Sequence, residues 1–202
     1  MQLKRAEMTF STSELLLKYA SYGDAKGKIR RLVASGGLIP VTRGVYEDDM
    51  TTDPIWLAPW ICSPSYLSFD YVLHIHDLIP EAVVVYTSAT CGKRHSRTCT
   101  NAFGTYTFRD VPLQAFAQGV EARTAEGRSC LVASCEKALC DKLYTLSPVR
   151  NISSLEALLF EDLRIDEEAF WALNLEDLKA LAPLYHSTNL DRLARMIARR
   201  RK

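Results

Sequence analysis

The sequence predicts an α/β (α+β) chain in two parts: a small helical N-terminal unit closed by a hairpin, then a mixed-sheet α/β domain. Three observations predict this. Helix start and stop signals alternate twice before residue 38, β-branched runs recur between residues 82 and 133, and helical periodicity takes over after Ser134. With 202 residues, 48% of them hydrophobic, the chain can bury a substantial core.

Ser11-Thr12-Ser13-Glu14 carries the reciprocal cap of a helix start. Ser11 can accept from the amide of Glu14 while the Glu14 carboxylate reaches back to the Ser11 amide, which satisfies two orphan donors. Phe10, just before the cap, is placed to staple the first turn. Leu15, Leu16, Leu17 and Tyr19 supply apolar positions, and Tyr22-Gly23-Asp24 ends the segment. Asp24 caps a second helix whose Ile29, Leu32 and Val33 form one buried stripe. Gly36 or Gly37 supplies the left-handed residue that closes it without a Cβ clash. Residues 38–46 then read as a two-stranded wing with Arg43-Gly44 at its tip.

Helix, turn, helix and wing together predict a winged helix-turn-helix over residues 1–48, with DNA as partner. Lys26, Lys28, Arg30 and Arg31 are expected to hold phosphates or base edges, with Ser21 and Tyr22 where that helix begins. Arg43 is expected to enter a minor groove or grip a phosphate. Residues 1–46 hold eight cations (Lys4, Arg5, Lys18, Lys26, Lys28, Arg30, Arg31 and Arg43) against Glu7, Glu14 and Asp24, a net of +5. The whole chain carries only +1, so the positive charge is concentrated there. Displaced counterions give such a surface an affinity for phosphate that falls steeply with salt. A merely solvated basic helix face is the competing reading, and the wing argues against it.

Glu47-Asp48-Asp49 and Thr51-Thr52-Asp53-Pro54 form a polar, turn-rich junction, which places the second domain at 49–202. Residues 55–61, broken by Pro59, read as a short helix or bent segment. Ser63-Pro64-Ser65 reads as the start of a helix carrying Tyr66, Leu67, Phe69, Val72, Leu73 and Ile75 and ending near Asp77. Residues 82–88 form a strand by β-branched content, 98–109 one or two strands broken at Asn101 or Gly104, and 116–122 and 129–133 shorter strands. Helices are expected over 136–145, 153–163, 167–173 and 175–181, and from 190 onward.

No run of about 18 apolar residues exists, which excludes a membrane-spanning helix. The basic N-terminus lacks an apolar stretch before a small-residue cleavage site, so no signal peptide is expected and the chain is expected in the cytoplasm. Six cysteines include no pair with the two-residue gap of a zinc knuckle. Cys130, Cys135 and Cys140 recur at five-residue steps, a spacing that points helical thiols apart. They are expected to be reduced and core-filling, with no metal and no cofactor. His74 and His76 lie about 200° apart around a helix, so they cannot clamp one ion and are expected to pack or cap.

Further blocks carry a resemblance. Ser63-Pro64-Ser65-Tyr66-Leu67-Ser68, Leu78-Ile79-Pro80-Glu81 and Glu136-Lys137-Ala138-Leu139-Cys140-Asp141 resemble the signature blocks of AbiEi-type antitoxins of bacterial abortive-infection (type IV) toxin–antitoxin systems. Leu32-Val33, Gly36-Gly37-Leu38-Ile39 and Arg43-Gly44-Val45-Tyr46 are similar to that family's winged helix. The likeness runs from about Phe10 to Tyr144, and the position before Leu78, often Gly in the family, is Asp77 here. It implies autorepression through promoter inverted repeats bound by the winged helix. It also implies a C-terminal domain that counteracts a nucleotidyltransferase-like toxin in phage defence, with or without a stable complex.

On their own residues these blocks read as mostly structural, with Tyr66, Leu67 and Phe69 in the core. Glu136 and Lys137 are adjacent on a helix and face different sides, so they need not pair. Two other functions compete: a one-component, ligand-responsive transcriptional repressor, and a metal-dependent nuclease. The nuclease would need Glu136, Lys137 and Asp141, or Asp110 with Glu121 and Arg123, to converge on Mg²⁺. A glutamate at a helix start has a simpler dipole explanation. No phosphate-binding glycine loop and no Ser–His–Asp pattern is present, so the chain is not expected to be an enzyme.

Residues 151–191 hold nine acids against Arg164 and Lys179, a net of −7, whereas 192–202 hold six cations and no acid. Arg192, Arg195 and Arg199 fall on one helix face, and Leu193, Met196 and Ile197 on another. These arginines and Arg200 have three readings: complements to a helix dipole, partners of the acidic helices, or further contacts to nucleic acid or toxin.

Overall fold

The computed structural model describes residues 8–200. Strand β1 (Thr9–Ser11) leads into α1 (Thr12–Lys18) and α2 (Ala25–Ala34), after which β2 (Ile39–Thr42) and β3 (Val45–Glu47) form an antiparallel hairpin. β3 pairs with both β2 and β1, so the strand before the helices completes a three-stranded sheet. The expected cap forms: the Glu14 amide donates to Ser11 Oγ at 3.2 Å, and the Ser11 amide donates to Glu14 Oε2 at 2.7 Å. Phe10, Leu15, Ile29 and Leu38 make a small core, with Leu16, Leu32 and Val33 packed on it. Asp24 caps α2 through the Gly27 amide at 2.7 Å, and a Cβ on Gly27 would stand 1.7 Å from Asp24 Oδ2, so that cap requires glycine. Gly36 takes the left-handed turn after α2. β1 was not among the expected elements, because three residues carry too little alternation to read.

After a 3₁₀ turn (Pro54–Leu57) and α3 (Ala58–Ile61), the second sheet is built from β4 (Ser65–Leu67), β5 (Val85–Thr90), β6 (Arg97–Asn101), β7 (Gly104–Asp110), β8 (Val120–Ala125) and β9 (Arg128–Ala133). Its order is β6-β7-β5-β4-β9-β8, parallel at β5–β7 and β4–β9 and antiparallel elsewhere. The chain is therefore mixed α/β, as expected. Helices α4 (Phe69–Ile75) and α5 (Leu113–Phe116) lie between strands, and α6 (Cys135–Tyr144) follows β9. α7 (Ile152–Ala157) continues as a π turn (Leu158–Asp162), and α8 (Glu167–Ala172), α9 (Leu175–Leu181), a 3₁₀ turn (Ala182–Tyr185) and α10 (Thr188–Arg200) complete the fold. Among the described residues no helix is long and apolar enough to cross a membrane.

Two expected elements are corrected. The helix predicted from Ser63 starts only at Phe69, because Ser65, Tyr66 and Leu67 are all buried as a central strand between β5 and β9. A short apolar run fits either state, and tertiary pairing decides it. Phe116 ends a helix rather than starting a strand, and the sheet resumes at Val120. The start of α4 is secured from β5: Thr87 Oγ1 accepts from the Tyr71 amide at 3.0 Å, and the Thr87 carbonyl accepts from the Ser68 amide at 3.0 Å. His74 lies in the last turn of α4, and His76 is its C-cap. All six cysteines are free, and Cys130, Cys135 and Cys140 are buried. Burial pushes the Cys130 thiol up to about 11 and the Cys135 thiol up to about 12, which leaves both protonated and unreactive at neutral pH.

The position before Leu78 turns left-handed, with Asp77 at φ 55°. Glycine adopts that conformation without a Cβ clash. Asp77→Gly is expected to raise stability by about 0.5–1 kcal/mol, read as a higher urea midpoint at unchanged slope. A lower midpoint would show that the Asp77 side chain contributes more than its backbone costs.

The two sheets are fastened together at β2 and β3. Asn101 Nδ2 donates to the Val41 carbonyl at 2.8 Å, and Arg97 donates to Thr42 Oγ1 at 3.2 Å and to the Ile61 carbonyl at 2.8 Å. Glu47 is fully buried and accepts from Arg128 at 2.9 and 3.0 Å and from Thr9 Oγ1 at 2.7 Å. Burial alone would push its carboxyl up. The hydrogen bonds from Arg128 and Thr9, with the Arg128 charge, outweigh burial and hold it below the usual range.

Candidate nucleic-acid interface

Helix α2 and the turn before it gather most of the expected contacts. Lys26, Arg30 and Arg31 are exposed, as is Ser21 in the preceding turn. Tyr22 is 51% exposed and meets Tyr19 edge-on, with ring centroids 5.8 Å apart. Lys28 is half-buried, its Nζ 5.5 Å from the Tyr22 ring centroid, so this cation is anchored along the helix rather than presented outward. Among the described residues no carboxylate lies within ion-pair distance of Lys26, Arg30 or Arg31.

Arg43 stands at the tip of the β2–β3 hairpin, exposed, beside Gly44 at φ 81°. The Gly44 carbonyl accepts from the Thr12 amide at 2.8 Å and from Thr12 Oγ1 at 3.1 Å. The hairpin tip is thus tied to the first residue of α1, and a Cβ on Gly44 would crowd Thr12 Oγ1 at 3.3 Å. Lys18 lies with its Nζ 4.2 Å over the Phe10 ring. Lys4, Arg5 and Glu7, counted in the sequence charge, lie outside the described residues. Four exposed guanidinium and ammonium groups on two connected elements can bind phosphate; reading bases would further require donors aimed at their edges.

A second convergence lies in the core. Asp141, fully buried on α6, accepts from Lys137 Nζ at 2.7 Å and Tyr185 OH at 2.6 Å on one oxygen. On its other oxygen it accepts from Tyr66 OH at 3.0 Å and Ser68 Oγ at 2.6 Å. Lys137, also fully buried, donates to Tyr185 OH and faces its ring at 4.7 Å. Burial lowers the Lys137 ammonium despite the Asp141 charge, and burial followed by that charge pushes both tyrosine hydroxyls up. A carboxylate has about four acceptor sites, and all are filled here, so Asp141 has none left for a metal. The i,i+4 spacing of Lys137 and Asp141 was a readable signal for the pair, whereas Tyr185 arrives from 44 residues away with no local signal.

Lys137 and Asp141 pair, but the other residues weighed for a nuclease do not join them. Glu136 accepts the Asn174 amide at 3.0 Å, away from the buried pair. Asp110 accepts from Thr90 Oγ1 and the Arg94 amide, both at 2.6 Å. Glu121 and Arg123 are exposed on β8, separated from β7 by β5, β4 and β9. Among the described residues no three His, Cys, Asp or Glu side chains gather as a metal site.

The C-terminal arginines divide. Arg200 stacks on Trp171 at 3.8 Å and lies 3.8 Å from Glu167, which makes it a partner of an acidic helix. Arg192 donates to the Thr188 carbonyl at 3.2 Å and to the Arg150 carbonyl at 2.7 Å. Arg195 and Arg199 are exposed, and Arg201 and Lys202 lie outside the described residues. No model of a known protein family matches the chain, and no curated protein matches it.

Proposed function

We propose that this chain is a non-catalytic, cytoplasmic antitoxin of the AbiEi type that also represses its own operon. Residues 1–48 act as a winged helix-turn-helix on promoter inverted repeats, and 49–202 counteract a nucleotidyltransferase-like toxin. One observation carries the reading: Lys26, Arg30, Arg31 and Arg43 are exposed on a helix–turn–helix and on the tip of the hairpin that follows it. The pairing of β1 with β3 supports a wing fixed to the helices, since it gives the hairpin a third strand to rest on. The first and last of the resembling blocks meet at Asp141 through Tyr66 and Ser68, so they act together in the core.

Growth of a host tests the reading. The neighbouring open reading frame is expressed from an unrelated promoter, alone or together with the full chain or its Lys26→Ala/Arg30→Ala/Arg31→Ala variant. Toxicity relieved by both forms is expected, because relief belongs to the larger domain and the foreign promoter removes autorepression. Absence of toxicity, or of relief, would sink the antitoxin assignment. A cleft of about 420 Å³ lined by Leu73, Ile79, Val83 and Val85 beside the Lys142–Asp70 pair favours the second reading, a ligand-responsive repressor. That reading would then be pursued through metabolites that change operator affinity.

A further inference from the structure

A cleft of about 380 Å³ opens between α10 and the start of α7, clear of the proposed operator contacts. Arg150, Arg192, Arg195 and Arg199 line it, against the single carboxylate of Asp191. Asp191 precedes Arg195 by four residues, the spacing of a helical ion pair, yet no such pair forms. The cleft is therefore a concave cationic site within a stretch of chain that is otherwise acidic.

A dipole explanation covers only part of it. Cations are favoured in the last turn of a helix, where Arg199 sits, but not near its start, where Arg192 sits. Arg150 belongs to the loop before α7. Arg192 is held by the carbonyls of Thr188 and Arg150, so its guanidinium is fixed at the cleft. The Asn151 side chain already caps α7 through the Ser154 amide at 2.8 Å, so its oxygen is engaged. All four cations are arginines, whose planar fork matches phosphate oxygens two at a time where lysine offers a point charge. A concave lining of one sign also focuses its field on the space it encloses. The volume suits a mononucleotide or a few linked phosphates.

We infer that this cleft binds nucleotide phosphate groups, carried either by a free nucleotide or by a single nucleic-acid strand, independently of the α2 face. Calorimetric titration of the full chain at low salt tests it. The probes are ATP, inorganic pyrophosphate and a 5′-phosphorylated RNA of about ten nucleotides. At least one should bind. Arg195→Ala/Arg199→Ala should weaken that binding about tenfold or more, because two bidentate contacts are lost. Lys26→Ala/Arg30→Ala/Arg31→Ala, which strips the proposed operator face, should lower it less than Arg195→Ala/Arg199→Ala does. Tighter RNA binding assigns a strand, and tighter ATP or pyrophosphate binding assigns a free nucleotide; both support the site. Arg195→Lys/Arg199→Lys keeps the charge without the fork and should give an intermediate loss, which serves should the alanine form fold poorly by circular dichroism. The inference is overturned if no phosphate probe binds, if loss follows only the α2 variant, or if a polyglutamate peptide binds as tightly as the best phosphate probe.

Discussion

Asp141→Ala is expected to remove about 3–5 kcal/mol of stability, a large share of what holds a domain folded. The cost comes from what is left behind. Lys137 would stay buried as a cation without its carboxylate, and Tyr66, Ser68 and Tyr185 would lose the oxygen that accepts their hydroxyl protons. The double change Lys137→Met/Asp141→Leu removes both charges at similar volume and should recover much of the loss, since well-packed apolar pairs often replace buried ion pairs without penalty. Recovery stays partial because the three hydroxyls still lack their acceptor. Urea unfolding of the three proteins reads the ordering directly. A cost below about 1 kcal/mol for Asp141→Ala would mean that water or a shifted side chain satisfies Lys137, and the buried network would not hold the fold as described.

The same series separates fold from the proposed antitoxin activity. If the double variant folds and still relieves toxicity, the blocks containing Ser68 and Asp141 maintain the core, and the surface that counters the toxin lies elsewhere. If it folds but gives no relief, the polar cluster itself shapes that surface.

What the residues disclosed in advance follows the range of the forces involved. Caps at Ser11 and Asp24 and the α2 stripe are set within four residues, and each was readable; the left-handed turn was narrowed to Gly36 or Gly37, of which Gly36 takes it. The state of Ser65–Leu67 is set by β5 and β9 on either side, which a local apolar run cannot announce. The candidate sites divide the same way. One face of α10 placed Arg192, Arg195 and Arg199 together by periodicity alone, whereas Arg150 joins them across 42 residues through its carbonyl bond to Arg192. Lys28 had the right charge and helix, yet its Tyr22 contact turns it aside, a side-chain choice that spacing does not fix. Arg200 likewise belongs to Trp171 and Glu167, not to the cleft.

Binding of a duplex carrying the promoter inverted repeats should fall about 10²–10³-fold in Lys26→Ala/Arg30→Ala/Arg31→Ala, at roughly 1–1.5 kcal/mol per lost cation. Salt dependence carries the stronger argument, because it counts phosphates instead of measuring overall affinity. Each lost phosphate contact lowers the slope of log affinity against log salt by about one, so the triple variant should lose up to about three and Arg43→Ala about one. Lys28→Ala should change it less, since that side chain is half-buried on Tyr22. Unfolding stability serves as the control: Lys26, Arg30, Arg31 and Arg43 are exposed, so their truncation should move it by no more than about 0.5 kcal/mol. Comparing operator with unrelated duplex then divides the roles, because a phosphate contact weakens both equally while a base-edge contact weakens the operator alone. A triple variant that folds and keeps its full salt slope would place the duplex somewhere other than α2, and with it would go the reason for assigning DNA to this end of the chain.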